Sequence, residues 1–352
     1  MFKNLSHGIL VFAIIISIST LSSCGKNDNK DKTEKDKKQT SDLIKKDDKG
    51  EKVDLKYAPK VNDKFSYKMT AKTVSVEKSP YTRDKEITSE NTNTFYYKQE
   101  VTEISSAGVV TYKIKYDSIL ASFKISSMDS SITVLYNSNV KDSVYKMQSN
   151  ILNNALIGEE FKMRVSPLGE ILDVYELEKI HDNIFKAFGD TLKQQQKENL
   201  KQSLDIVSEL KKISTNQFQK FQGGEIYKDS SWSFTQETSI PFLQITVFPI
   251  RNILDYKVKE FQNSNGDVIV VIDASLNIDF INKEQKDKSG VSIKVMESKP
   301  EGKGSIFYNL TKGCIVKKET NTKIPMEAKI TVKGQSANAI QNTTTSLSLE
   351  LL

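Results

Sequence analysis

From Val268 to Phe280 every second residue is apolar: Val268, Val270, Ile272, Ala274, Leu276, Ile278 and Phe280. Successive side chains on an extended chain point to opposite faces, so this period predicts a long β-strand with one buried face. The period recurs along most of the sequence. Phe65, Tyr67, Met69 and Ala71 alternate with polar residues, and the phase then shifts to Val74 and Val76. Phe95, Tyr97 and Val101 start another run. Val110, Tyr112, Ile114 and Tyr116 give a third, which shifts phase near Asp117 to Ile119, Ala121, Phe123 and Ile125. Ile132, Val134 and Tyr136 form a shorter one. A phase shift at constant chain direction predicts a bulge or bend. Runs longer than about ten residues, broken by such shifts, predict a strongly curved antiparallel sheet.

Turn chemistry joins these runs. Ser166-Pro167-Leu168-Gly169 lies between Phe161, Met163, Val165 and Ile171, Leu172, the pattern of a tight hairpin. Asn265-Gly266 predicts a two-residue hairpin. Ile306 and Tyr308 are expected to pair across Lys312-Gly313 with Ile315 or Val316. Ala328, Ile330 and Val332 form a late strand. Leu347, Leu349 and Leu351 close the chain in a strand expected to be tied into a sheet.

A different period occupies the middle. Asp173 with Glu176 predicts a capped helix start, followed at helical spacing by Leu177, Ile180, Ile184 and Phe188. Gly189-Asp190 ends it, and Leu200, Leu204, Val207 and Leu210 mark a second helix. The order strands, helices, strands indicates an α+β fold rather than an alternating α/β one. The expected body is one unit over 53–352, with strands over 53–172, helices over 173–213 and strands over 226–352. It is built as one or more large curved antiparallel sheets, with a half-open barrel as one form this could take.

The N-terminus reads differently. Lys3 precedes an apolar run from Ile9 to Ile18, followed by small residues and Cys24. That layout predicts a secretory signal peptide over 1–23, too short in its apolar part for a membrane span. Leu21-Ser22-Ser23-Cys24 resembles the lipobox of bacterial lipoproteins. The resemblance implies export, a diacylglyceryl thioether on Cys24 and cleavage before it. From Gly25 to Lys52 the chain is mostly Lys, Asp, Asn, Glu, Gln and Thr, so 24–52 reads as a lipidated cysteine with a disordered charged tether. Its coil span would be on the order of 30 Å. The expected location is the cell envelope, with the outer membrane favoured over the inner.

Counts of reactive residues exclude several chemistries. The histidines are His7 and His181, and the cysteines are Cys24 and Cys314, too few in the mature chain for a Cys/His zinc site. No Gly-x-Ser-x-Gly elbow, phosphate loop or dinucleotide fingerprint occurs. The arginines are Arg83, Arg164 and Arg251, and the net charge of +6 is dispersed among alternating Lys and Asp/Glu, which argues against nucleic acid. We therefore expect no catalytic residue, cofactor or metal.

Asn62-Asp63-Lys64-Phe65-Ser66-Tyr67-Lys68-Met69, Phe161-Lys162-Met163-Arg164-Val165-Ser166-Pro167-Leu168-Gly169-Glu170 and Asp229-Ser230-Ser231-Trp232 resemble a family of uncharacterised bacterial lipoproteins. The chain departs from that pattern at Lys228-Asp229, where such members carry Gly. The layout is also similar, more distantly, to periplasmic lipoprotein carriers and lipid-binding lipoproteins. That resemblance implies a curved sheet holding acyl chains under helices. The residues expected to line such a cradle are Tyr67, Met69, Tyr112, Ile114, Phe161, Met163, Ile184, Phe188, Trp232 and Ile272. The expected partners are the membrane, through lipidated Cys24, and an apolar small molecule or lipid. The alternative is a filled core whose outer surface meets another envelope protein.

Overall fold

The computed structural model describes residues 43–128, 130–140, 151–189, 192–286 and 290–352. The expected signal peptide, Cys24 and the tether before residue 43 lie outside them.

The first strands are β1 (Lys45–Asp47), β2 (Gly50–Asp54), β3 (Lys64–Lys78), β4 (Glu86–Ile104), β5 (Val110–Ser127) and β6 (Ser130–Asn137). Helix α1 (Ile151–Leu156) precedes the hairpin of β7 (Glu160–Val165) and β8 (Ile171–Tyr175). Helices α2 (Glu178–Phe188), α3 (Gln194–Leu204) and α4 (Ile206–Thr215) follow. The second block holds β9 (Glu225–Tyr227), β10 (Ser231–Phe242), β11 (Thr246–Ser264), β12 (Asp267–Phe280), β13 (Glu284–Lys286), β14 (Ser292–Glu297), β15 (Glu301–Asn309), β16 (Cys314–Val332) and β17 (Gln335–Leu351). Helices therefore sit between two strand blocks, and the fold is α+β. No described helix is long and apolar enough to cross a membrane.

One 14-stranded sheet dominates, in the order β10-β11-β12-β15-β16-β17-β3-β4-β5-β7-β8. Strand β6 continues the edge of β5 beyond β7, and β14 does the same for β16 beyond β15. Every pairing between the described strands is antiparallel, and the sheet curves without closing into a barrel. The C-terminal strand β17 lies at its centre, between β16 and β3. This location explains the terminal Leu347, Leu349 and Leu351: Leu347 and Leu349 are buried among both neighbours.

The two phase shifts have different origins. At Asp117 the pairing of β5 with β4 slips by one residue, the expected bulge. At Val74 no slip occurs: β3 pairs with β4 in unbroken register from Lys64 to Lys78. The inner face instead continues through Thr73, Ser75 and Glu77, and Val74 and Val76 face outward. The bulge expected at Val74 is therefore a change in what the inner face is made of.

The helical region also differs from expectation. Asp173 belongs to β8 and its Oδ1 accepts from the Val174 N–H, so it caps no helix. Helix α2 starts after Leu177, without a side-chain cap. Leu200 to Leu210 spans two helices, because Asp205 adopts φ 29° and breaks the run. Asp205 then accepts from the Ser208 N–H at the start of α4.

The body also begins earlier than the composition implies. Residues 45–54 form β1 and β2, which join β9 in a small sheet. Lys52 holds it through Asp47 at 2.8 Å and Glu225 at 2.7 Å, while Val53 is buried in the main core.

The concave face as candidate functional site

The inner face of the sheet has three zones. The lowest, at the end where the helices lie, is aromatic. Tyr67 stacks on Tyr97 at 5.6 Å, Tyr116 on Phe161 at 6.2 Å and Trp232 on Tyr256 at 5.6 Å. Two chain segments fill this zone. Tyr57, after β2, stacks on Phe221 at 5.2 Å and meets Phe218 and Tyr308 edge-on. Phe218 in turn packs on Tyr112 at 5.2 Å.

The segment after α4 thus acts as a plug across the sheet. Gln217 and Gln99 exchange two hydrogen bonds of 2.7 Å, and Tyr97 Oη donates to Gln217 Oε1 at 2.9 Å. The turn at Pro167-Leu168-Gly169 holds the same segment from the other side. The Tyr57 N–H donates to the Pro167 carbonyl at 2.8 Å, and the Phe221 N–H to the Leu168 carbonyl at 2.9 Å. A side chain at Gly169 would sit 2.1 Å from the Gln219 carbonyl oxygen, so only glycine admits the plug so closely. Gln219 N–H donates to Tyr57 Oη at 2.8 Å. Burial pushes the phenols of Tyr67, Tyr97 and Tyr57 up, since no charge there stabilises a phenolate.

Nine of the ten expected lining residues lie in this core: Tyr67, Met69, Tyr112, Ile114, Phe161, Met163, Ile184, Trp232 and Ile272. They are brought together in one core, and Tyr112 packs on the plug through Phe218. Phe188 is exposed at the end of α2, where Phe185 is the buried aromatic residue.

The opposite end of the β10–β12 side is a second apolar cluster. It joins Ile240, Phe242, Phe248 and Ile250 to Ile324, Met326, Ala328 and Ile330. Strand β10 is five steps from β17 in the sheet, yet they meet here. The Leu243 N–H donates to Gln341 Oε1 at 2.5 Å, and Gln341 Nε2 donates to the Pro241 carbonyl at 3.3 Å. The sheet is curled until its β10–β11 turn touches β17.

Between the plug and this second apolar cluster the inner face is polar but mostly uncharged. Thr320 and Thr322 on β16, Thr343 and Thr345 on β17, Thr73 and Ser75 on β3, and Asn91 and Asn93 on β4 share it. Hydroxyl pairs link parts of this band, such as Thr73 with Thr345 at 3.3 Å and Ser75 with Thr343 at 3.4 Å. Glu77 lies at its upper end, and burial raises its carboxyl pKa. Beyond β4 the same face turns apolar again without cover. Phe123 is half-buried; Ile125, Ile132 and Val134 are 38%, 69% and 41% exposed. The register places Phe123 opposite Val134 and Ile125 opposite Ile132, so the four side chains form one patch.

Groups with catalytic potential are not gathered here. His181 packs on Phe185 at the rim of a shallow pocket with Glu178, Asp182 and Lys201, and burial lowers its pKa. Cys314 is buried and its thiol is pushed up to about 12 by desolvation, which keeps it protonated and unreactive. Among the described residues, no group of three or more His, Cys, Asp or Glu side chains could hold a metal.

The sequence profile of a family of unknown function, DUF6263, matches residues 107–315. The chain belongs to this family. The DUF6263 match runs from the turn before β5 through the plug, β10–β12 and β15, and so includes both the Pro167-Gly169 turn and Trp232. No curated protein matches the chain. Among solved structures it is similar to lipovitellin, described for its lipid–protein interactions, at 12% identity and TM-score 0.40, over 84% of this chain and 25% of that one. The chain thus spans a quarter of the length of the lipovitellin chain. It is also similar to the β domain of the Bordetella autotransporter BrkA, at 8% identity and TM-score 0.21, over 82% of this chain and 98% of that one. A third likeness is to Pseudomonas aeruginosa OccK7, at 6% identity and TM-score 0.21, over 82% and 99% of the respective chains.

Proposed function

We propose that this protein is a lipid-anchored lipoprotein of the bacterial cell envelope that holds an apolar ligand, a lipid or similar molecule, on the concave face of its sheet without catalysing a reaction. The anchor is Cys24, and the outer membrane is the favoured site. One observation carries the ligand reading: the patch of Phe123, Ile125, Ile132 and Val134 lies on the face that elsewhere forms the core, and it stands exposed. Uncovered apolar surface of this kind is costly in water and marks a place of contact. A soluble version starting at Lys26, purified without detergent and extracted for mass spectrometry, should yield a reproducible hydrophobic molecule and should bind a fluorescent fatty acid. A protein that is empty and also fails to bind the probe contradicts the reading. Anchoring is tested separately: Cys24→Ser should release the protein from envelope fractions and abolish labelling by palmitate.

The plug favours a second reading for the lower zone. Tyr57, Phe218 and Phe221 occupy the place an acyl chain would take among the aromatic residues, as in a filled structural core. In an envelope interaction module, crosslinking in intact cells should give one dominant protein partner.

A further inference from the structure

Strand β6 is unlike the other strands at sheet edges. Among the described strands it pairs with β5 alone, from Asn137 opposite Leu120 to Ser130 opposite Ser127, so its other side turns backbone N–H and C=O groups toward no strand. Such an edge is a template for a further strand, and sheets blunt it with charge, proline, shortness or a covering element. The other edges are blunted in these ways. Strands β1, β9 and β13 are three residues long and charged. On β8 Asp173 is charged, and Lys211 of α4 donates to the Leu172 carbonyl at 3.3 Å. Strand β10 carries Pro241 and Glu237, the latter paired with Arg251.

Strand β6 has none of these devices. It reads Ser130-Ser131-Ile132-Thr133-Val134-Leu135-Tyr136-Asn137, without charge, proline or glycine, in a chain of which 27% is charged. Its Ile, Thr, Val and Tyr favour strand. The first six residues are exposed, so both faces are uncovered: Ile132 is 69% exposed on the inner face and Leu135 58% on the outer.

This strand is complementary to itself. A two-fold axis normal to the sheet keeps the inward residues of both copies on one face only in registers where the paired residue numbers have an even sum. With Thr133 on the axis, Ile132 lies opposite Val134 of a second copy, and Thr133 opposite Thr133 of that copy. These are β-branched and threonine pairs of the kind that stabilise antiparallel strands. The strand holds no charge, so no like charges meet. The exposed patches of the two copies then abut, each covering part of the other's apolar surface.

We propose that two copies of this protein associate through their β6 edges, antiparallel about a two-fold axis at Thr133, so that each main sheet continues into the other. The inference goes beyond the ligand reading and holds whether or not the concave face is occupied. One strand pair is a small interface, so the dimer forms at micromolar concentration and is favoured where an anchor confines the copies to a surface.

The protein from Lys26 onward lacks Cys24 and buries Cys314, so an introduced cysteine is read without interference. Sedimentation over roughly 1–200 μM should show a concentration-dependent shift from one chain to two. Thr133→Lys sets two ammonium groups opposite each other and should weaken the dimer about tenfold. Its urea midpoint should not change, since Thr133 is exposed. Mixing the Thr133→Lys and Thr133→Glu proteins should restore association, which damage to the strand would not allow. Thr133→Cys should give a disulfide-linked pair of chains on mild oxidation, because opposite residues of an antiparallel pair lie within disulfide reach. Ser126→Cys on β5 should not, being three strand spacings, about 14 Å, from its counterpart. Monomers at every concentration, species larger than two chains, a dimer indifferent to Thr133→Lys, or crosslinking as strong at Ser126 as at Thr133 overturns the inference.

Discussion

Gln99 on β4 and Gln217 in the plug hold each other through two hydrogen bonds of 2.7 Å, far from one another in sequence and both buried. A side-chain amide pair in the core is costly to break from one side, because the remaining amide keeps its desolvation without its partner. Gln217→Leu should therefore lower stability by about 2 kcal/mol, and Gln99→Leu by a similar amount. The double substitution should cost less than the sum, since it leaves no orphaned amide. Urea unfolding of the four proteins measures this coupling.

The contact of Gln341 with Leu243 and Pro241 is what brings the β10–β11 turn onto β17. Gln341→Ala should free that turn while the sheet pairing of β10 with β11 remains. Hydrogen exchange at Leu243 should accelerate about tenfold, the equivalent of 1.4 kcal/mol of local opening. Exchange in the paired strands of the lower zone should not change.

Stability should depend on pH through Lys318. Its folded pKa is lowered to about 8 from an ordinary 10.5. Below pH 8 the amine is protonated in both states and the fold carries the full burial penalty, on the order of 3 kcal/mol. Between pH 8 and 10.5 the unfolded chain binds more protons, so stability rises with pH. The buried tyrosines act in the opposite sense. Tyr67 and Tyr97 are held well above 10, so their contribution is complete below pH 10 and is lost above it. The urea midpoint should climb from pH 8 to about 10 and fall beyond, and Lys318→Met should remove the climb and raise the midpoint at pH 7.

Most of the fold was legible in the sequence because an antiparallel sheet with one buried face writes itself as a two-residue period. The bulge at Asp117, the hairpins at Gly169 and Gly266 and the tied-in terminal strand follow from that period and from turn chemistry. The polar band was not legible, for a physical reason. The period equates apolar with inward, and from Lys317 to Lys323 strand β16 has no apolar residue on either face. Lys318, Thr320 and Thr322 thus look like solvent-facing residues although they are buried. A usable signal was present in Gly302-Lys303-Gly304, since glycine in a strand marks close approach of a neighbour, here the Thr320 side chain and the Glu319 carbonyl against Gly304. At Val74 the same rule failed in reverse and made a change of lining look like a bulge. The tether was overextended to residue 52 because β1 and β2 are joined through the Lys52–Asp47 ion pair, which leaves no apolar period in the sequence.

The central claim is that the concave face, and no other surface, carries the ligand. A fatty acid bearing a photoreactive diazirine on its chain, bound to the protein and irradiated, tests this directly when the adducts are mapped by peptide mass spectrometry. The account predicts adducts concentrated on Phe123, Ile125, Ile132 and Val134 and on Ala121 beside them. Adducts spread over the outward-facing residues of the same strands, such as Val74 and Val76, or none at all, would contradict it.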